Sequence, residues 1–226
     1  MLLTLIGMSG AGKTFWATRL AAHGFTVIDC DALLATKLQP VSGITGTSLE
    51  EIGQWMGFPY EADFRRREAL YLACEMDVLR DVVARAITWA DTPTNTVIDT
   101  GGSVIYAEPV LVQRLRQCST VIYLRLPSTL HQELVRAYLE RPRPLIWNGL
   151  FNQTPNESLP AAFSRCYAQL IKHRERLYEQ YSDVVLEYED YSHPTFSVER
   201  FLEHVRASAE QARAADRLSR DDSVYC

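Results

Sequence analysis

The chain has 226 residues, 47% of them hydrophobic and 23% charged, and carries a net charge of −5. That length suits one α/β domain with a substantial core and is short for two. The acidic balance, with no basic run, leaves no electrostatic footprint for nucleic acid, and no apolar run approaches the ~18 residues of a membrane-spanning helix.

Residues 2–6 (Leu-Leu-Thr-Leu-Ile) read as a short apolar strand that runs into Gly7-Met8-Ser9-Gly10-Ala11-Gly12-Lys13-Thr14. This is a phosphate-binding loop of pattern G-x-x-x-x-G-K-[ST]. Its glycines let the backbone curl so that successive N–H groups face a β-phosphate. Lys13 reaches the β/γ oxygens, and the Thr14 hydroxyl can hold Mg²⁺. A helix over 13–22 then points its positive N-terminus at the same anion. The leading apolar stretch is short and has no basic region before it, so it does not read as a signal peptide.

A strand over 25–29 ends at Asp29-Cys30-Asp31. In an extended chain, alternation sets Asp29 and Asp31 on one side. One carboxylate can organise Mg²⁺ near Thr14, and the other can accept a proton from a substrate hydroxyl. Asp31 also heads the next helical run, where Asp is a preferred cap. Cys30 reads as a small strand-end residue rather than a nucleophile, because flanking carboxylates raise a thiol pKa.

Helices follow near 31–37, 48–56 and 61–87, with 38–47 as a flexible connector. In the third of these, Arg65 shares a stripe with Ala69, Leu72, Met76, Leu79 and Val83, which places it on the apolar side. A strand over 96–99 ends at Asp99-Thr100-Gly101-Gly102. Asp99 there is Walker-B-like, and the two glycines permit close backbone approach to a ligand.

A helix over 107–116, a strand over 119–125 and a helix over 128–138 come next. Residues 141–160 hold Pro142, Pro144, Pro155 and Pro160 with Asn148, Asn152 and Asn156. A long stretch of this kind inside a compact domain reads as a lid or a disordered segment. Arg136 and Arg143 bracket its start, and an arginine closing there can stabilise a transferring phosphoryl group.

The helix over 161–181 carries Arg174 on a stripe with Phe163, Tyr167, Leu170, Tyr178 and Tyr181. A guanidinium on an apolar face is costly unless an anion meets it, and a substrate carboxylate would serve. A strand over 183–188 and a helix over 197–215 complete the pattern. Residues 206–226 read as a polar tail that frays. The cysteines Cys30, Cys74, Cys118, Cys166 and Cys226 are scattered and odd in number, with no C-x-x-C pair. That argues against a zinc site or disulfide framework and for a reducing cytoplasm.

Continuous apolar strands separated by helices give a parallel sheet covered on both faces, with its ligands at the carboxyl ends of the strands. The phosphate loop, Asp29, Asp31 and Asp99 all fall at such ends.

Taken in order over about residues 2–205, these pieces resemble the shikimate kinase family. They are Gly7-Met8-Ser9-Gly10-Ala11-Gly12-Lys13-Thr14, Ile28-Asp29-Cys30-Asp31, Ser48-Leu49-Glu50-Glu51-Ile52, and Phe64-Arg65 with Glu68. Thr100-Gly101-Gly102, Val121-Ile122-Tyr123-Leu124, Arg136 ahead of Arg143-Pro144-Leu145, and Arg174 before Leu177-Tyr178 follow.

The resemblance implies a three-layer α/β/α P-loop kinase fold with a five-stranded parallel sheet, substrate-binding helices and a mobile lid. It implies one domain over 1–205, its substrate-binding region about 32–66 and its lid about 139–160, followed by the tail. By the same resemblance Lys13, Asp31 and Arg143 are catalytic. Gly10, Ala11, Gly12, Lys13, Thr14, Phe15, Arg136, Arg143 and Pro194 bind ATP. Asp31, Arg65, Gly101, Gly102 and Arg174 hold the acceptor. Thr14, with Asp29 nearby and Asp99, serves Mg²⁺.

The expected reaction converts ATP and shikimate to ADP and shikimate 3-phosphate. The expected enzyme is a cytoplasmic monomer with a small-molecule substrate and no nucleic-acid or membrane partner. The chain departs from the family at Ser103, where a third glycine is usual, and at Arg176, where proline is. The segments 38–47 and 57–63 and the lid are also long. These departures keep two alternatives open: a same-fold kinase for another polyol or hydroxy acid, such as gluconate or a cyclitol, and a non-catalytic nucleotide-binding regulatory relative.

Overall fold

The computed structural model describes residues 1–89 and 94–222, with side chains as far as Gln211. At its centre lie β1 (Leu2–Ile6), β2 (Thr26–Asp29), β3 (Thr96–Asp99), β4 (Thr120–Arg125) and β5 (Val184–Glu187). They form a five-stranded sheet in the order β2-β3-β1-β4-β5. Every pairing is parallel. β1 and β3 are buried at each residue, as central strands covered on both faces must be. The register sets Asp99 beside both Leu5 and Asp29, so strand pairing alone brings two acids together at one edge.

The helices are α1 (Lys13–Ala21), α2 (Cys30–Ser42), α3 (Leu49–Met56), α4 (Phe64–Trp89), α5 (Pro109–Cys118), α6 (His131–Glu140), α7 (Leu159–Tyr181), α8 (Tyr188–Tyr191) and α9 (Val198–Asp222). They cover both sides of the sheet. The five strands and the main helices fall where the sequence places them, within a few residues.

The differences have local causes. α2 extends to Ser42 rather than stopping near 37, because Leu38 is fully buried and holds another turn. Pro40 stands in that last turn, and Gly43 then ends the helix with φ 75°, a left-handed conformation that glycine adopts at little cost. The connector is therefore only 43–47. Because α2 starts at Cys30, the extended alternation expected for Asp29 and Asp31 does not apply. Asp29, not Asp31, is the cap: its carboxylate accepts the N–H of Ala32 at 2.9 Å.

In α4 the buried stripe is Phe64, Tyr71, Glu75, Val78 and Val82, flanked by Cys74 and Leu79. That is one residue, or about 100°, out of phase with the stripe read from Arg65. Arg65 is consequently exposed. A short 3₁₀ turn at Val104–Tyr106 and α8 were not anticipated.

The proline-rich stretch is not structureless throughout. Leu145, Ile146 and Trp147 are buried, and Trp147 packs its ring against Tyr138, Phe151, Phe163 and Tyr167. The expected tail from 206 is helical as far as Asp222. Residues 223–226, with Cys226, lie outside the described residues, whereas Cys30, Cys74, Cys118 and Cys166 are free thiols. No helix among the described residues is long and apolar enough to cross a membrane.

Candidate active site

The loop after β1 is shaped by positive φ angles at Gly7 (148°), Gly10 (89°) and Gly12 (85°). At Gly7 a side chain is excluded twice over, since a Cβ would also stand 2.8 Å from the Leu124 carbonyl oxygen. Lys13 Nζ donates to the carbonyls of Gly7 at 3.0 Å and Met8 at 3.2 Å. The amine is thus stationed inside the loop it serves. Burial pushes its pKa down, while Asp31 and Asp99 pull it up.

Asp99 is buried beside the Thr14 hydroxyl, and burial raises its carboxyl pKa. Asp29 stands next to it in register but is committed to capping α2. Among the described residues no three His, Cys, Asp or Glu side chains converge as a metal cage. Thr14 and Asp99 instead offer hard oxygen donors of the kind that suit Mg²⁺ carried on nucleotide phosphates with waters retained.

Two clefts flank the loop. One is lined by Gly10, Gly12, Phe15, Arg19, Tyr191 and Pro194. Phe15 is 58% exposed there, a flat apolar surface available to a base. Arg19 stacks over the Trp16 ring at 4.8 Å and donates to the Phe196 carbonyl at 3.1 Å. The other cleft is lined by Ser9, Gly10, Tyr138, Arg141, Arg143 and Leu145. Arg143 reaches across it, Nη1 donating to Ser9 Oγ at 3.3 Å. Arg136 is exposed on α6 and lines neither cleft.

Beyond the loop lies the acceptor side. Asp31 sits in the first turn of α2 with its pKa pushed up to about 6, chiefly by burial and against the pull of Lys13. Arg174 is 2% exposed. Its Nη2 donates to the Gly102 carbonyl and to the Tyr178 hydroxyl, and Tyr178 donates to the same carbonyl. Nε and Nη1 of Arg174 have no partner among the described residues. Unpaired guanidinium donors in the interior call for an anion. The Tyr106 ring lies 5.6 Å from the same guanidinium, its buried hydroxyl also unpartnered. Of the two arginines expected to grip a carboxylate, the fold buries Arg174 and leaves Arg65 on the exposed side of α4.

Sequence reading missed Glu75, which is buried with both carboxyl oxygens unpartnered. A Cβ at Gly101 would lie 2.7 Å from Glu75 Oε1 and 3.0 Å from Asp31 Oδ1, so two carboxyls flank one glycine. The detectable signal was an acid inside the Tyr71–Val78–Val82 stripe.

The family model for shikimate kinase matches residues 9–206. A curated shikimate kinase from Aromatoleum aromaticum is 29% identical over 188 residues, 83% of this chain and 85% of that protein. Among solved structures, the shikimate kinase from Acinetobacter baumannii in complex with shikimate is 22% identical, with a TM-score of 0.50 over 98% of this chain and 93% of that one. The shikimate kinase from Bacteroides thetaiotaomicron is 15% identical, also at a TM-score of 0.50, over 96% of this chain and 98% of its own. With a phosphate loop at the carboxyl edge of a five-stranded parallel sheet and a match across most of its length, the chain belongs to the shikimate kinase family, whose members use ATP to phosphorylate an alcohol.

Proposed function

We propose that this chain transfers the γ-phosphoryl group of ATP to the 3-hydroxyl of shikimate, with Lys13, Asp31, Arg143 and Arg174 as the principal working groups. The observation that carries the reading is the buried Arg174, whose Nε and Nη1 have no partner among the described residues. A ring carboxylate on the acceptor supplies the missing anion, gripped by two donors at once. Arg65 is exposed on α4, and its role as a second donor to the carboxylate rests on the family resemblance alone.

The acceptor hydroxyl then lies toward Asp31. Asp31, ionised above about pH 6, takes the hydroxyl proton as the oxygen attacks the γ-phosphorus and the bond to the departing ADP oxygen breaks. Lys13 leaves the loop carbonyls for the phosphate oxygens. Arg143, already bonded to Ser9 of the loop, faces the charge that spreads over the transferring group. The glycine backbone cradles the β-phosphate, while Phe15 and Pro194 border the cleft for the base. Thr14 and Asp99, with Asp29 nearby, would hold Mg²⁺ on the phosphates, where it would supply neutralisation of developing phosphate charge.

The reading extends to a cytoplasmic monomer acting on a small molecule. The test is ADP release by the purified protein with ATP and Mg²⁺, with and without shikimate. Turnover that depends on shikimate at a KM within about 1 μM–1 mM supports it. ATP binding without stimulation transfers the assignment to another carboxylated polyol, since Arg174 and Asp31 would still require both groups.

A further inference from the structure

Glu75 is 7% exposed and neither of its carboxyl oxygens has a hydrogen-bond partner among the described residues. A buried carboxyl in that state is a penalty to folding, so its place beside the site needs a reason. The groups around it come from every neighbouring element. Asp31 and Cys30 face it from α2, Lys13 from α1, Arg174 and Tyr178 from α7, and Tyr71 from its own helix.

The Ser103 hydroxyl stands beside both Glu75 and Tyr71, without a well-formed bond to the carboxyl. Ser103 is the residue that replaces the family's third glycine after β3. The polar group in the turn and the polar group in the helix therefore occur together. They lie under Gly101 and Gly102, the backbone that receives Arg174 on one side and borders Asp31 on the other.

We propose that Glu75, with Ser103, is a positioning residue for the acceptor site: a neutral carboxyl packed under Gly101 that fixes the turn 101–103 and the place of Asp31 Oδ1. The neutral form follows from geometry. Two carboxyls converging within 3.0 Å of one Cβ position in the interior do not both ionise at low cost. Glu75, the more deeply buried of the two, keeps the proton. The inference rests on reading this region as the acceptor side of the kinase.

The test compares Glu75→Gln, which keeps shape and polarity without charge, with Glu75→Leu, which keeps only volume. Glu75→Gln is expected to retain acceptor KM and kcat at pH 7 within threefold. Glu75→Leu is expected to raise acceptor KM at least tenfold, with the KM for ATP within twofold. Amide hydrogen exchange over 100–106 in the ligand-free protein is expected to quicken in Glu75→Leu and not in Glu75→Gln.

Equal behaviour of Leu and wild type overturns the proposal, as does a Gln variant as impaired as Leu. If wild type shows no shikimate-dependent turnover, the substrate assignment fails by itself. The exchange comparison still decides the role of Glu75, because it needs no acceptor.

Discussion

Glu68 accepts the backbone N–H of Trp147 at 2.6 Å and that of Asn148 at 3.1 Å through one oxygen, Oε1. A single carboxylate in α4 thereby ties the middle of the proline-rich segment to the body of the domain, three residues after Arg65. Asn148 turns the chain immediately afterwards with φ 50°, before Leu150 and Phe151 pack back against the core. Glu68→Ala strands two amide donors, a loss of about 1–3 kcal/mol. The expected readings are a Tm lower by roughly 3–8 °C and faster proteolysis within 144–156. Glu68→Gln retains an acceptor oxygen and is expected to recover part of the loss. An unchanged Tm in Glu68→Ala would remove the carboxylate from its anchoring role.

The start of the same segment is set from α3. Gly53 packs so closely against Pro142 and Arg143 that a Cβ there would overlap the Pro142 carbonyl. Gly53→Ala must therefore push away the backbone that carries Arg143. Alanine favours helix over glycine, so α3 itself does not suffer. The expected outcome is kcat at least tenfold lower, with helical content by circular dichroism unchanged. Normal kcat would mean that Arg143 acts from a position independent of α3.

The parts of this site that were legible in the sequence are those set by local chemistry. The phosphate loop, Asp99 at a strand exit and the inward face of Arg174 follow from glycine pattern and helical period. What was not legible depends on phase and packing. α4 is long, with apolar residues on much of its circumference, so a stripe through Arg65, Leu72 and Met76 looked as good as the true one through Tyr71, Val78 and Val82. That one-residue error hid Glu75 and turned Arg65 inward. The buried Leu145-Ile146-Trp147 run was hidden by its prolines, which exclude helix but not core. Its partners, Phe163 and Tyr167 on α7, come together only in the fold.

Substitution of Arg174 tests the proposed acceptor site apart from nucleotide binding. Its Nη2 donates to the Gly102 carbonyl, and its Nε and Nη1 form a planar fork that lysine cannot reproduce. Arg174→Lys is expected to raise acceptor KM by at least tenfold, a loss of about 1.4 kcal/mol or more. The KM for ATP should stay within twofold, because the phosphate loop is built from β1 and α1. A parallel rise in both constants would show that Arg174 supports the fold rather than the acceptor.

Stability and activity should diverge with pH because of Asp31 and Glu75. Burial raises both carboxyls above their ordinary values, Asp31 to about 6 and Glu75 to about 7. Each is harder to ionise folded than unfolded. The contribution of these two groups to stability is therefore full below the ordinary carboxyl range and is lost as pH rises through 6 and 7. In the proposed mechanism activity runs the other way, since Asp31 serves as the base only when ionised, and kcat/KM is expected to climb through about pH 6. Glu75→Gln removes one of the two titrations and keeps the shape of the side chain. It is expected to melt above wild type at pH 8, by on the order of 1–3 kcal/mol, and level with it at pH 4.5. A gap of the same size at both pH values would mean that the ionisation of Glu75 does not set the difference in stability.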